Sequence, residues 1–137
     1  MQYWLLKTEP EEWSWQQQVK SGDKGAEWNG VRNFQAAKNL KKMRINDKCF
    51  FYHTGKVKSI VGIVKVVKEA FFDKSDKTQK FVSVRVRSIS PFKREVSLQE
   101  IKKNKELRDF SLVRQSRLSV MEVDLKYWKK ICKMGRV

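Results

Sequence analysis

Histidine, cysteine and proline are nearly missing from this chain: 137 residues hold one His, two Cys and two Pro. One His and two scattered Cys cannot supply a tetrahedral metal site with recognisable ligand spacing, so no metal is expected. Cys49 lies in an apolar run and Cys132 in a terminal helix pattern, which reads as two reduced core residues. No apolar run approaches the ~18 residues that span a bilayer. The start, Met1-Gln2-Tyr3-Trp4-Leu5-Leu6-Lys7, lacks the basic opening and long apolar stretch of a signal peptide. The expected location is therefore cytoplasmic (bacterial-type) or nuclear, not secreted, and no membrane partner is expected.

Catalytic patterns are also missing. No Gly-x4-Gly-Lys-Ser/Thr phosphate loop occurs, and no paired carboxylates stand near a second reactive group. Cys49, His53 and Glu9 could suggest a nucleophile system, but Lys48-Cys49-Phe50-Phe51 is a buried-strand context, unsuited to an exposed thiolate. The expectation is a protein that is not an enzyme and carries no cofactor.

Acidic residues are scarce as well: 15 Asp and Glu against 31 Lys and Arg leave a net charge of +16. A field of that sign on a small body attracts polyanions, and nucleic acid is the expected partner. An anionic surface, or solubility alone, is the alternative source of such an excess. Hydrophobic content of 40%, with 12% aromatics, is ample for a core. The length fits one domain over residues 1–137, burying roughly two-thirds of its unfolded surface.

No repeat, low-complexity tract or Pro/Gly-rich linker divides the chain. Tyr3 to Lys7 reads as a buried strand. Pro10, with Glu11 and Glu12 behind it, suits the first turn of a helix running to about Val19. Asn33 is a good cap for a second helix, Phe34 to about Lys42, with Ala37, Leu40 and Phe34 as candidates for its inward face. Asn46-Asp47 marks a turn. Lys48 to Thr54 and Ser59 to Phe72 read as two strands joined at Gly55. Phe81 to Ile89 alternates cleanly and ends before Pro91, as expected of a strand with one wet face. Ser97 and Glu100 have capping-box spacing for a short helix. Leu118 to Val123 is a further strand, and Asp124 caps a last helix ending near Gly135. Strands and helices segregate in this order, which argues an α+β domain on a curved or barrel-like antiparallel sheet.

Three stretches resemble the EVE domain family. Tyr3-Trp4-Leu5-Leu6-Lys7-Thr8-Glu9-Pro10 followed by Trp13-Ser14-Trp15 is similar to its opening. Trp28-Asn29-Gly30-Val31-Arg32-Asn33 with Ala36, Ala37 and Leu40, then Phe50-Phe51-Tyr52-His53, is similar to its central signature. Arg117-Leu118-Ser119-Val120 is similar to its C-terminal one. The family belongs to the PUA-like superfamily and is related to the YTH domains, which read methylated adenine in RNA. The resemblance thus implies a PUA-like curved β-barrel of about five or six strands flanked by helices, and a pocket for a modified base of DNA or RNA. Asn46 stands where the family commonly has Gly before Asp47. Asn tolerates left-handed backbone, so the turn should survive.

A base is planar, and stacking it on an aromatic ring contributes roughly 1–3 kcal/mol. A buried methyl group adds about 0.8 kcal/mol. Trp28, in a polar Gly-containing loop, is the first candidate for an aromatic wall, or else it plugs the barrel edge. Val31 and Arg32 would line the pocket or offer backbone groups, with a phosphate contact as an alternative for Arg32. Asn33 could offer its amide to a base edge or only cap its helix. Tyr52 and His53 alternate on a strand, so at most one looks into a pocket, and either can instead be structural. Arg117, Leu118 and Ser119 form a polar-apolar-polar patch near the other end. Lys7, Lys38, Lys41, Lys56 and Lys58 are the candidates for a phosphate-binding rim. Trp13 and Trp15, placed in the first helix, are not carried as main site residues, and Trp4 and Trp128 read as structural. The functional expectation is a non-catalytic module recognising one modified base in an aromatic pocket. A protein-interaction or regulatory accessory module is the alternative, and an enzyme acting on nucleic acid stands behind both.

Overall fold

The computed structural model describes residues 1–137. Its frame is one six-stranded sheet. β1 (Tyr3–Thr8) pairs in parallel with β3 (Lys48–His53) and antiparallel with β6 (Val120–Glu122). β3 continues antiparallel to β4 (Ser59–Phe72), β4 to β5 (Val82–Ser97), and β5 to β2 (Ala26–Trp28). The spatial order is therefore β2-β5-β4-β3-β1-β6. Cys49, Phe50, Phe51, Tyr52 and His53 are all buried, so β3 is covered on both faces and stands central. A continuous apolar run is what such a strand requires.

The sheet curls into a half-barrel flanked by five helices, as the α+β expectation required. Curvature is built into the β4–β5 pair, whose register shifts at four places. Each shift bends the ladder locally. One lies where Pro91 faces Gly62. The expectation that the strand pattern stops at Pro91 is thus corrected: β5 passes through it to Ser97. A residue without an N–H is tolerated where the ladder is already broken.

The helices start where their caps are. α1 covers Trp15–Lys20, not a span from Pro10. Ser14 Oγ accepts from Gln17 N at 3.1 Å while Gln17 Oε1 accepts from Ser14 N at 2.9 Å. That reciprocal pair outcompetes the Pro10 start, and the Glu12 and Trp13 N–H groups instead donate to Glu9 O in a turn. α2 (Phe34–Lys42) begins at Asn33, whose Oδ1 accepts from Ala36 N at 2.9 Å. Ala36, Ala37 and Leu40 face the core, but Phe34 is 70% exposed and not on the inward face. α3 (Leu98–Lys103) carries the Ser97–Glu100 capping box. α4 (Ser111–Arg114) and the edge strand β2 carry no periodic apolar signal and were not expected. α5 (Leu125–Met134) lies over the Tyr3 end of β1 through Trp128. Asn46 holds its turn at φ +77°, the left-handed geometry Asn tolerates.

Candidate nucleic-acid interface

The Thr8 end of β1 opens into a cavity of about 570 Å3, lined by residues from five segments. That size is within the roughly 300–1,000 Å3 typical of small-ligand sites. β1 contributes Lys7 and Thr8, the turn before α1 gives Glu12 and Trp13, and Ser119 enters just ahead of β6. The far wall is Ala26, Glu27 and Trp28 of β2 with Asn29, Gly30, Val31 and Arg32 behind them.

Two tryptophans shape the walls. Trp28 is 7% exposed and sets its ring edge-on to Phe51, centroids 5.6 Å apart. It is both cavity wall and part of the core, so the two readings of this residue are not exclusive. Trp13 is anchored by its indole N–H, which donates to Gln18 Oε1 at 2.8 Å. Gln18 is wholly buried and donates in turn to Val86 O at 3.0 Å, tying that indole to β5. Trp15 packs edge-on to Phe51 on the neighbouring side. It lies so close over Gly62 that a Cβ there would fall 2.5 Å from its ring.

A carboxylate far along the chain fixes the loop after Trp28. The Asp73 side chain is wholly buried. Its Oδ2 accepts from Gly30 N at 2.8 Å and Arg32 Nη1 at 2.9 Å, and its Oδ1 from Ser75 N and Oγ at 2.8 and 2.6 Å. Gly30 reaches that carboxylate at φ +80°, a backbone geometry that favours glycine. Burial pushes the Asp73 carboxyl up, but the Ser75, Arg32 and Gly30 hydrogen bonds outweigh it and hold it at about 2. Arg32 also donates to Val31 O and Ser75 Oγ, so its guanidinium is largely committed to holding the loop.

Lys7 is half-buried at the cavity, its Nζ donating to Ser116 O at 3.0 Å and lying 5.8 Å from the Tyr52 ring centroid. Burial lowers its pKa.

Trp28, Val31, Arg32, Ser119 and Lys7 thus share one cavity. Asn33, Arg117 and Leu118 line a separate hollow of about 300 Å3 with Gln35, Gln115 and Ser116. Asn33 Oδ1 is occupied as the α2 cap. Tyr52 and His53 line neither hollow and are buried in β3. Burial raises the Tyr52 hydroxyl to about 12. His53 Nε2 accepts from Trp15 N at 3.3 Å, and burial, only partly offset by Thr8, Glu11 and Glu95, lowers its pKa. The ring thus holds the first residue of α1 through Nε2, while its Nδ1 is buried without a hydrogen-bond partner. Lys56 and Lys58 border a third hollow of about 350 Å3 with Lys102, while Lys38 and Lys41 point outward from α2.

The sequence signals neither Thr8, Glu12, Ala26 and Glu27 in the lining nor Asp73 behind it; Asn29 and Gly30 belong to the Trp28 loop that the sequence does single out, and Trp13 is not carried there as a main site residue. The Ser14–Gln17 spacing would have freed Trp13 from the helix. Asp73-Lys-Ser and Asp76-Lys-Thr can be read as local turns, but nothing local shows that Asp73 reaches back to Gly30. No group of three or more His, Cys, Asp or Glu could hold a metal ion. No helix is long and apolar enough to cross a membrane.

A half-barrel of this order with a cavity at one end defines a PUA-like module. The fold is shared with the YTH domain of Zygosaccharomyces rouxii MRB1, at TM-score 0.62 over 99% of this chain and 85% of that one, with 18% identity. The EVE domain model matches residues 2–134, and the chain belongs to the EVE domain family. A Rhodopseudomonas palustris protein solved by NMR superposes at TM-score 0.94 with 43% identity, covering 99% of this chain and 94% of that one. Human THYN1, crystallised with DNA containing 5-methylcytosine, superposes at TM-score 0.87 with 27% identity, covering 100% of this chain and 99% of that one. Thymocyte nuclear protein 1 of Mus musculus is 33% identical over 150 residues, covering 86% of this chain. The chain spans 66% of that mouse protein's length.

Proposed function

We propose that the chain, as one EVE unit over residues 1–137, binds DNA or RNA inside the cell and takes a single extruded base into the cavity at the Thr8 end of β1. A base carrying a small apolar modification is preferred, and the nucleic acid leaves chemically unchanged. The observation that carries this reading is a cavity with Trp13 and Trp28 in its walls on a chain of net charge +16. Indole walls stack a planar ring, and a methyl group filling residual space adds affinity. The Glu12 carboxylate can accept from an exocyclic amine, and backbone groups of residues 29–31 and the Thr8 and Ser119 hydroxyls complete the polar edge. THYN1, with its methylated DNA, supports the same class of ligand. Extruding a base costs a few kcal/mol, so single strands should bind more tightly than duplexes.

The test is a titration of the chain with single-stranded 9-mers whose central base is cytosine, 5-methylcytosine, 5-hydroxymethylcytosine, adenine or N6-methyladenine. One modified base should exceed its parent by about fourfold or more, the equivalent of one buried methyl. Trp28→Phe should narrow that ratio. Equal affinity for every modified and parent base would sink the reading.

A further inference from the structure

Phe34 stands out among the exposed side chains because it is an aromatic ring at 70% exposure that is nonetheless held in place. It stacks on Phe81 with centroids 5.0 Å apart and planes 29° from parallel. Phe81 is nearly buried, and the Arg32 guanidinium lies 5.4 Å from its centroid. Arg32 also lines the cavity. Cavity wall, Arg32, Phe81 and Phe34 therefore form one continuous surface.

The backing of this surface is stiff. Phe34 opens α2 directly after the Asn33 cap. Phe81 N–H donates to Asp76 Oδ2 at 2.9 Å, and Phe81 O accepts from Asp73 N at 3.1 Å. Asp76 also accepts from Thr78 N, Thr78 Oγ1 and Lys80 N, so the Asp73–Phe81 segment is cross-braced by two carboxylates. Lys74, Lys77 and Lys80 of that segment are exposed and enter no ion pair. An exposed ring buries little by packing on its own protein, whereas a ring braced against a segment that carries three unpaired lysines suits a stacked, phosphate-linked ligand.

We propose that Phe34 is a second stacking station, on which the nucleobase adjoining the one in the cavity lies, with its phosphates drawn toward Lys74, Lys77 and Lys80. The assignment of that base as a neighbour rests on the cavity reading above, but the station itself has its own readout. The probes are single-stranded 9-mers with central 5-methylcytosine or cytosine, and the 5-methylcytosine 9-mer with an abasic nucleotide on its 5′ or 3′ side. Phe34→Ala should weaken both intact 9-mers by the same factor, about 5- to 150-fold, the loss of one stacked base. Phe34→Tyr should stay within about twofold of wild type. On one of the two abasic probes the Phe34→Ala loss should shrink below about twofold, because the partner base is already gone. No loss on either intact 9-mer, as a protein-docking role would give, overturns the proposal; so does a loss undiminished on both abasic probes. A wild type blind to methylation whose Phe34→Ala variant still loses affinity overturns the cavity reading alone.

Discussion

The two ends of β1 gather the same kind of residue into different surroundings. They lie about 16 Å apart, five residue steps along a strand. At the Tyr3 end, aromatic rings satisfy one another: Tyr3 meets Trp128 at 4.5 Å, Trp128 stacks on Phe50 at 3.9 Å, and Phe92 closes edge-on at 5.6 Å. At the Thr8 end, Phe51 backs Trp28 and Trp15 edge-on, while Trp28 and Trp13 border open space. Rings capped on both sides by protein become core. Trp28 is as buried as Trp128, both 7% exposed, so the ends differ in the cavity that lies beside the ring and not in how far the ring is covered. Both ends also lean on a buried carboxylate: at the closed end Asp47 accepts from Gln2 N, the Trp4 indole N–H and Arg44 N, and at the open end Asp73, with Gln18 beside Trp13, holds the loops that border the cavity.

The sharpest way to break this contrast is to remove a ring from the closed end. Trp128→Ala should cost about 3–5 kcal/mol in chemical denaturation, because it empties a site between Tyr3 and Phe50. The folded fraction should keep the wild-type ratio of modified-to-plain affinity. A variant of normal stability that lost the ratio would show that the ends are not separate.

Asp73→Asn comes next. It keeps the shape but turns an amide NH2 toward donors that need an acceptor, at a cost of about 2 kcal/mol. Binding should weaken too, because Gly30 and Arg32 lose their anchor. The pH dependence gives the sign. A carboxyl held at about 2 when folded contributes stability above its unfolded value, and that contribution disappears as pH falls from about 4 toward 2. The variant's melting temperature should therefore change less than wild type's across that window. Parallel acid limbs would remove Asp73 from the account.

The closed end was far more legible than the open one. Trp4, Phe50 and Trp128 lie in apolar runs or helical spacings, and such periodic signals survive translation into three dimensions. The β3, β4 and α2 boundaries followed from Gly55, Asn33 and the apolar runs themselves. The half-barrel was readable from element order, and the family likeness pointed the same way. The open end depends on contacts across 41 and 43 positions, Arg32 and Gly30 to Asp73, which no local pattern encodes. Trp13 was misplaced because Pro10 promised a helix start that Ser14 takes instead. Asn33 and Arg117 resembled signature residues yet line a neighbouring hollow, since a motif gives membership and not the direction of each side chain.

The smallest effect separates the ends by charge. Lys7 sits at the cavity, half-buried and with its pKa lowered by that burial. Lys129 is exposed on α5, beside the Trp128 cluster. A partly buried ammonium interacts with an arriving phosphate through a lower effective dielectric than a fully exposed one does. If a nucleotide enters at the Thr8 end, Lys7→Gln should flatten the slope of log affinity against log salt by about 0.7, one single-strand phosphate contact. Lys129→Gln should leave the slope alone while lowering affinity only slightly through the overall field. Equal slopes for the two variants would mean that +16 acts as a diffuse cloud and that β1 has no functional polarity.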